Sequence, residues 1–279
     1  MKLEKWQMWE NLTFSNDFIF SKVMRDKEIC KETLEILLDK KVGEIEYIDN
    51  QKAIDIKYDS KSIRLDVYVE DEQRYYNIEM QVANKKDLVK RSRYYQSMID
   101  LNAIEKGKLY NELKESIVIF ICKFDPFKKG LSRYTFKNMC KEDNDIYLGD
   151  GTSKIFFNTK DYNKEKRENI KSLLKYIEEE KINENIFVKK IQDRIHKIKE
   201  NKEWRVEYMT LFMREKEIAK ENYEKGKLEG KLEGETKERE NSIKNLIEAY
   251  MELNLDKEFI VNKVMSKYDL SKEDTEKYL

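Results

Sequence analysis

Between Ile63 and Val82 the chain alternates strictly between apolar and polar positions. Ile63, Leu65, Val67 and Val69 interleave with Arg64, Asp66, Tyr68 and Glu70, while Tyr76, Ile78, Met80 and Val82 interleave with Asn77, Glu79 and Gln81. A period of two puts successive side chains on opposite faces of a strand. The stretch therefore predicts a β-hairpin whose strands each have one buried and one polar face. Pairing apolar with apolar sets Leu65 opposite Met80, Val67 opposite Ile78 and Val69 opposite Tyr76. The connection is then Asp71 to Arg74, without the Asn-Gly or Asp-Gly pair of a two-residue turn. The same register places Asp66 opposite Glu79 and Arg64 opposite Gln81.

Around the hairpin the pattern alternates between helical and extended periods. Ser15, Asn16 or Asp17 caps a helix running through Phe18, Phe20, Val23 and Met24. A second helix, from about Lys27 to Asp39, carries Leu34, Leu37 and Leu38 at i, i+3, i+4. Ala53, Ile54, Ile56 and Tyr58 predict a strand before the hairpin, with a turn at Asp59-Ser60-Lys61. After the hairpin, Leu88, Tyr95, Met98, Ile99 and Asn102 share one helical face. The continuous apolar run Ile117 to Cys122 predicts a central strand covered on both faces. Arg133 to Phe136 is a further short strand, and Lys154 to Asn158, after a turn at Asp150-Gly151-Thr152, an edge strand. This order is that of a mixed α/β or α+β domain.

Beyond Asp161 charges dominate, broken by helical stripes at Ile170, Leu173, Leu174 and Ile177, at Val188, Ile191, Ile195 and Ile198, and at Trp204, Tyr208, Leu211 and Phe212. The repeat Gly226-Lys-Leu-Glu-Gly230-Lys-Leu-Glu-Gly234 is either a flexible linker or a helix whose glycines share a face. In the last stretch Leu246, Ala249, Tyr250 and Leu253 form one stripe, and Phe259, Ile260, Val264 and Met265 another. Ser271 to Asp274 has the S-x-x-D form that starts a further short helix. This small helical module has no basic recognition face, which favours docking or oligomerisation over helix-turn-helix reading of DNA. The expected organisation is a domain over 1–162, a charged helical region over 163–240 and a helical module over 241–279.

Composition adds mainly exclusions. The chain has 279 residues, 40% of them charged and 11% aromatic, which is too aromatic for a disordered chain. One proline and eight glycines leave long helices unobstructed. With 56 basic and 56 acidic residues, bulk charge announces no nucleic-acid partner, and any such site is a local patch. Cys30, Cys122 and Cys140 are widely spaced, with no CxxC pair. Neither a zinc site nor a disulfide framework is expected, and reduced thiols suit a cytoplasmic protein. The start, MKLEKWQMWENLTF, lacks the apolar region of a secretory signal, and no apolar run is long enough to span a membrane. His196, the only histidine, has Asp193 and Glu200 at helical spacing but no companion nucleophile, so a surface or packing place is expected.

Three features bear on chemistry. Opposed carboxylates at Asp66 and Glu79 would repel; a hard divalent cation between them turns that cost into a gain, whereas on a solvent-facing sheet surface such acids are ordinary. Asp17 is either a helix cap or an acid projecting toward the hairpin. Lys85, Lys86, Lys90, Arg91 and Arg93, set against Asp87 alone, make a basic helix start that suits phosphate or is simply a solvated face.

Eight ordered segments, NDFIF, RLDVYVED, YNIEMQ, RSRYYQSMID, KGKLYNELK, IVIFICKFDPF, RYTFKNMC and IFFNTK, resemble the recombination-promoting nuclease (Rpn) family, also described as PD-(D/E)XK nuclease family transposases. The likeness is strong over residues 10–160 and loose beyond. It implies a restriction-endonuclease-like mixed β-sheet core flanked by helices, followed by an all-helical C-terminal region. It implies a metal-dependent DNA endonuclease serving recombination, mobile-element or defence processes, or alternatively an inactive DNA-binding or assembly protein on that scaffold. The motif aspartate is then Asp66, and the (D/E)-x-K motif is Glu79-Met80-Gln81, with glutamine where the superfamily usually has lysine. Asp17 matches the acid near the start of the first family helix, completing a catalytic set of Asp66, Glu79, Gln81 and Asp17. Asp66, Glu79 and the Met80 carbonyl would hold Mg²⁺ (or Mn²⁺ or Ca²⁺), and Lys90, Arg91, Arg93 and Tyr95 would face DNA phosphate. Deprotonation of water would rest on the metal alone or on a second metal with Asp17. The expected partners are DNA and, through the C-terminal helices, further copies of the chain.

Overall fold

The computed structural model describes residues 5–48, 65–104 and 107–279. The predicted strand over Ala53 to Tyr58, its following turn, and Ile63 and Arg64 of the hairpin lie outside these residues. The described chain forms a six-stranded mixed sheet in the order β1-β2-β3-β4-β6-β5. The strands are β1 (Glu46–Tyr47), β2 (Val67–Glu70), β3 (Arg74–Gln81), β4 (Glu115–Cys122), β5 (Arg133–Phe136) and β6 (Thr152–Asn158). β3, β4 and β6 run parallel at the centre, and β2 and β5 pair antiparallel on either side.

The hairpin takes the register that alternation predicts: Val67 faces Ile78 and Val69 faces Tyr76. Its connection is one residue shorter than expected, because Arg74 already belongs to β3. Asp71 closes it, accepting from the Gln73 and Arg74 N–H groups and the Tyr76 hydroxyl. β4 is central and buried as its apolar run demands. β6 is not an edge strand: it lies between β4 and β5, and β5 takes the edge.

Each sheet face has its own core. Val67, Val69, Tyr76, Ile78 and Met80, with Ile117, Ile119 and Ile121 of β4, pack against four helices. These are α2 (Asp17–Met24), α3 (Lys27–Leu38), α5 (Glu168–Glu179) and α6 (Ile186–Glu200), with α1 (Lys5–Glu10) before them. Sequence places α5 and α6 in a separate charged region, yet their apolar stripes complete this core. The opposite face, Tyr68, Tyr75, Val118, Phe120 and Phe156, lies under α4 (Leu88–Ala103) through Leu88, Tyr95 and Ile99. The hairpin's polar side is therefore buried beneath a helix rather than facing water.

By packing, the chain divides into two compact units, Met1–Tyr208 and Met209–Leu279. α7 (Lys202–Glu252) is one helix of 51 residues and carries Gly226, Gly230 and Gly234 within it, so the repeat is helical. A Cβ at any of these glycines meets nothing within 4 Å. In the second unit α7 packs Ile243 and Ile247 against Ile260 and Val264 of α8 (Lys257–Tyr268). α9 (Lys272–Glu276) starts at the predicted Ser271 cap, whose hydroxyl accepts from the Asp274 N–H. His196 is exposed on α6 and meets Gln192 rather than Asp193 or Glu200. No helix among the described residues is long and apolar enough to cross a membrane.

Candidate active site

Where β2 begins, the two hairpin strands are cross-braced by their carboxylates. The Asp66 N–H donates to Glu79 Oε1 at 3.0 Å, and the Met80 N–H donates to Asp66 Oδ2 at 3.2 Å. Each acid thus satisfies a backbone donor of the other strand. A strand residue's N–H and C=O lie on the same edge, so the Met80 carbonyl is on the Asp66 side as well. Asn77, two residues before Glu79 on the same face, donates Nδ2 to Glu79 Oε1 at 2.9 Å and to the Val67 carbonyl at 3.2 Å. Its own buried Oδ1 has no hydrogen-bond partner among the described residues.

Glu79 is only 2% exposed. Burial, first, and then the adjacent Asp66 charge push its carboxyl well above the usual carboxylate range, against the pull of Asn77, the Asp66 N–H and Arg91. The opposed acids that looked awkward in sequence are thus brought together, and at a site where negative charge is costly.

This donor set fits a small hard cation. Mg²⁺ takes one or two carboxylates and keeps several waters, and Asp66 is half-buried, leaving one side toward solvent. No group of three or more His, Cys, Asp or Glu is placed to hold a metal ion among the described residues, so the pair, a carbonyl and water would make up the shell. The strain of adjacent like charges is what such an ion relieves.

Arg91 of α4 ties the remaining residues to the pair. Its Nη1 donates to Gln81 Oε1 at 3.1 Å and its Nη2 to the Tyr95 hydroxyl at 3.0 Å. Nη2 also lies 3.8 Å from Glu79 Oε2, and the guanidinium sits over the Tyr95 ring. Arginine has donors only. The Gln81 atom facing it is therefore the oxygen, and the amide –NH₂ is the end left to work. Tyr95, accepting from Arg91, likewise keeps its O–H to donate. Lys90 and Arg93 are exposed on α4 and join none of these contacts.

Asp17 is the first residue of α2 and not its cap. Asn16 holds that place, its Oδ1 accepting from the Phe18 and Ile19 N–H groups. Surrounding packing raises the Asp17 carboxyl above its ordinary value and Lys85 opposes the rise, while the side chain still reaches solvent. Lys85 follows β3 in the loop just beyond Gln81, which puts Asp17 near that end of the strand without a direct bond to the pair. Asn77 is the residue that sequence reasoning passed over. Its signal was the period-two spacing from Glu79, which makes it a same-face neighbour.

A family model described as PD-(D/E)XK nuclease family transposase matches residues 14–230. No curated protein and no solved structure matches the chain. The family match spans well over half of the sequence and contains every candidate residue above.

Proposed function

The chain belongs to the PD-(D/E)XK nuclease family of transposases, and from that membership we propose that it is a divalent-metal-dependent DNA endonuclease serving recombination, mobile-element or defence processes. The observation that carries this reading is the Asp66–Glu79 brace with Arg91 tying Gln81 and Tyr95 to it. Asp66, Glu79 and the Met80 carbonyl would hold Mg²⁺, Mn²⁺ or Ca²⁺. When bound, the ion lowers the pKa of a water and polarises the scissile phosphate.

The chain's own residues supply the rest. Arg91 brings positive charge, and the Gln81 amide and Tyr95 hydroxyl bring donors, to the place where a phosphate oxygen gains charge. Arg91 is in this reading the phosphate contact, with Lys90 and Arg93 giving non-specific attraction from the exposed side of α4. Neither Gln81 nor Arg91 accepts a proton. The acceptor is then solvent around the metal, or Asp17.

A second reading, an inactive DNA-binding or assembly protein, is favoured by one observation. Glu79 is already served by Asn77, a backbone N–H and a nearby guanidinium, a set that stands where a cation would. Nicking of supercoiled plasmid in Mg²⁺, Mn²⁺ or Ca²⁺ separates the two. The expected outcome is cleavage by the parent chain, lost by on the order of 100-fold in Asp66→Ala and Glu79→Ala. Equal nicking by all three proteins sinks the catalytic reading, and no nicking with retained DNA binding favours the second.

A further inference from the structure

At the far end of β3 from Gln81, roughly 23 Å away along the strand, lies a cavity of about 480 Å³. It opens on the other sheet face, beside Tyr76, Ile117 and Ile155, where the parallel strands β3, β4 and β6 begin. Its volume is that of a small-ligand pocket. Five cations line it, Lys40, Lys41, Arg74, Arg133 and Lys137, against two carboxylates, Glu115 and Asp150.

The pairing within this set is uneven. Arg74 is neutralised by Glu115 at 2.7 Å and Lys41 by Glu35 at 3.2 Å. Asp150 keeps its charge, its oxygens turned to Asn138 and Thr152. Among the described residues Lys40, Arg133 and Lys137 have no carboxylate within ion-pair distance, so three cations without an ion pair stand against one such carboxylate. Arg133 is the telling one. It is half-buried, with its guanidinium over the Phe157 ring and its Nε donating to Thr135. Burial and then the Arg167 charge disfavour its ionised form. Glu165 and Asp39 oppose this from nearby, but Glu165 is held by Arg167 at 2.8 Å and neither forms an ion pair with Arg133. A cation kept half-buried without a directly paired carboxylate is a cost that a bound anion would offset.

We propose that this cavity binds a phosphomonoester dianion, carried by a nucleotide or by the 5′ end of a nucleic-acid strand. Lys40, Arg133 and Lys137 supply the charge that such a group needs, and Arg133 the planar fork that suits phosphate oxygens. A concave, half-enclosed site admits a terminal group, whereas a duplex backbone needs an open track. Tyr147, 59% exposed and part of the cavity lining, offers a ring on which a base stacks.

The test is titration calorimetry on the full chain in phosphate-free buffer without divalent metal. The probes are a nucleoside monophosphate, the unphosphorylated nucleoside, and a short single-stranded oligonucleotide with and without its 5′-phosphate. Binding by at least one phosphorylated probe is expected, with its unphosphorylated counterpart at least about tenfold weaker. A tighter mononucleotide identifies the free nucleotide as the source, and a tighter oligonucleotide the strand end. Lys40→Ala/Lys137→Ala, both exposed and safe for folding, and Arg133→Gln should each weaken binding about tenfold or more. Asp66→Ala should leave the affinity difference between each phosphorylated probe and its unphosphorylated counterpart unchanged, which separates this cavity from the carboxylate pair. Absence of binding by both phosphorylated probes, equal binding of the unphosphorylated ones, or parental affinity in the double variant overturns the proposal.

Discussion

Arg91 cannot accept a hydrogen bond, and that single chemical fact orients Gln81. With its oxygen turned to the guanidinium, Gln81 is a donor toward the site, so it does not stand in for a proton-accepting lysine. The charge that the usual motif lysine carries is present on α4 instead. Glu79 gives a second consequence at this scale. Its carboxyl is raised by burial and by Asp66, so the folded metal-free chain holds a proton that the unfolded chain has already released. Where the unfolded state binds fewer protons, stability falls as pH rises. The metal-free protein should therefore lose stability from about pH 5 upward through the raised Glu79 value, by at most about 1.4 kcal/mol per pH unit. Glu79→Gln should flatten that slope. Urea midpoints across the range read both, and added Mg²⁺ should raise the parent's midpoint at neutral pH while leaving that of Glu79→Gln where it was.

Among the elements, the start of α2 separates a structural acid from a candidate functional one. Asn16→Ala removes the cap and should cost about 1 kcal/mol, read as a lower melting temperature. Asp17→Ala leaves the cap intact and should lower cleavage with the melting temperature nearly unchanged; unchanged cleavage would remove Asp17 from the site. Asn and Asp are comparable caps on adjacent positions, which is why sequence could not choose between them. The hairpin register was legible because alternation excludes one-residue slips and the short connection selects among the registers left, and the Asp66–Glu79 meeting came with it. The burial of its polar face was not legible. Asn77, Glu79 and Gln81 alternate identically whether water or a helix bearing Arg91 and Tyr95 covers them. β6 was misplaced because its partner residues in β4 lie 36 positions back and pair in parallel, a contact with no local signature. β1 has two residues, too few to show a period.

At the scale of the whole molecule, sequence marked the charged helical stretch but not that its first two helices close the sheet's core. The remainder of the described chain is helix carrying exposed Leu211, Ile218, Leu228 and Leu232 along α7. Self-association along this helix is the expected outcome, with light scattering giving a multiple of 33.9 kDa and Leu228→Glu/Leu232→Glu returning the chain to monomer. A parental monomer would remove α7 as an assembly surface. The three glycines have a kinetic meaning of their own. Each costs a helix interior about 1 kcal/mol relative to alanine, and the exposed ion pairs beside them, Lys225–Glu229 and Lys231–Glu235, return only tenths. The helix is thus weakest over 226–234, and local opening there precedes any global event. Since a Cβ meets nothing at these positions, alanine at all three should slow amide hydrogen exchange across this segment by about 100-fold while exchange in the β-sheet stays as it was.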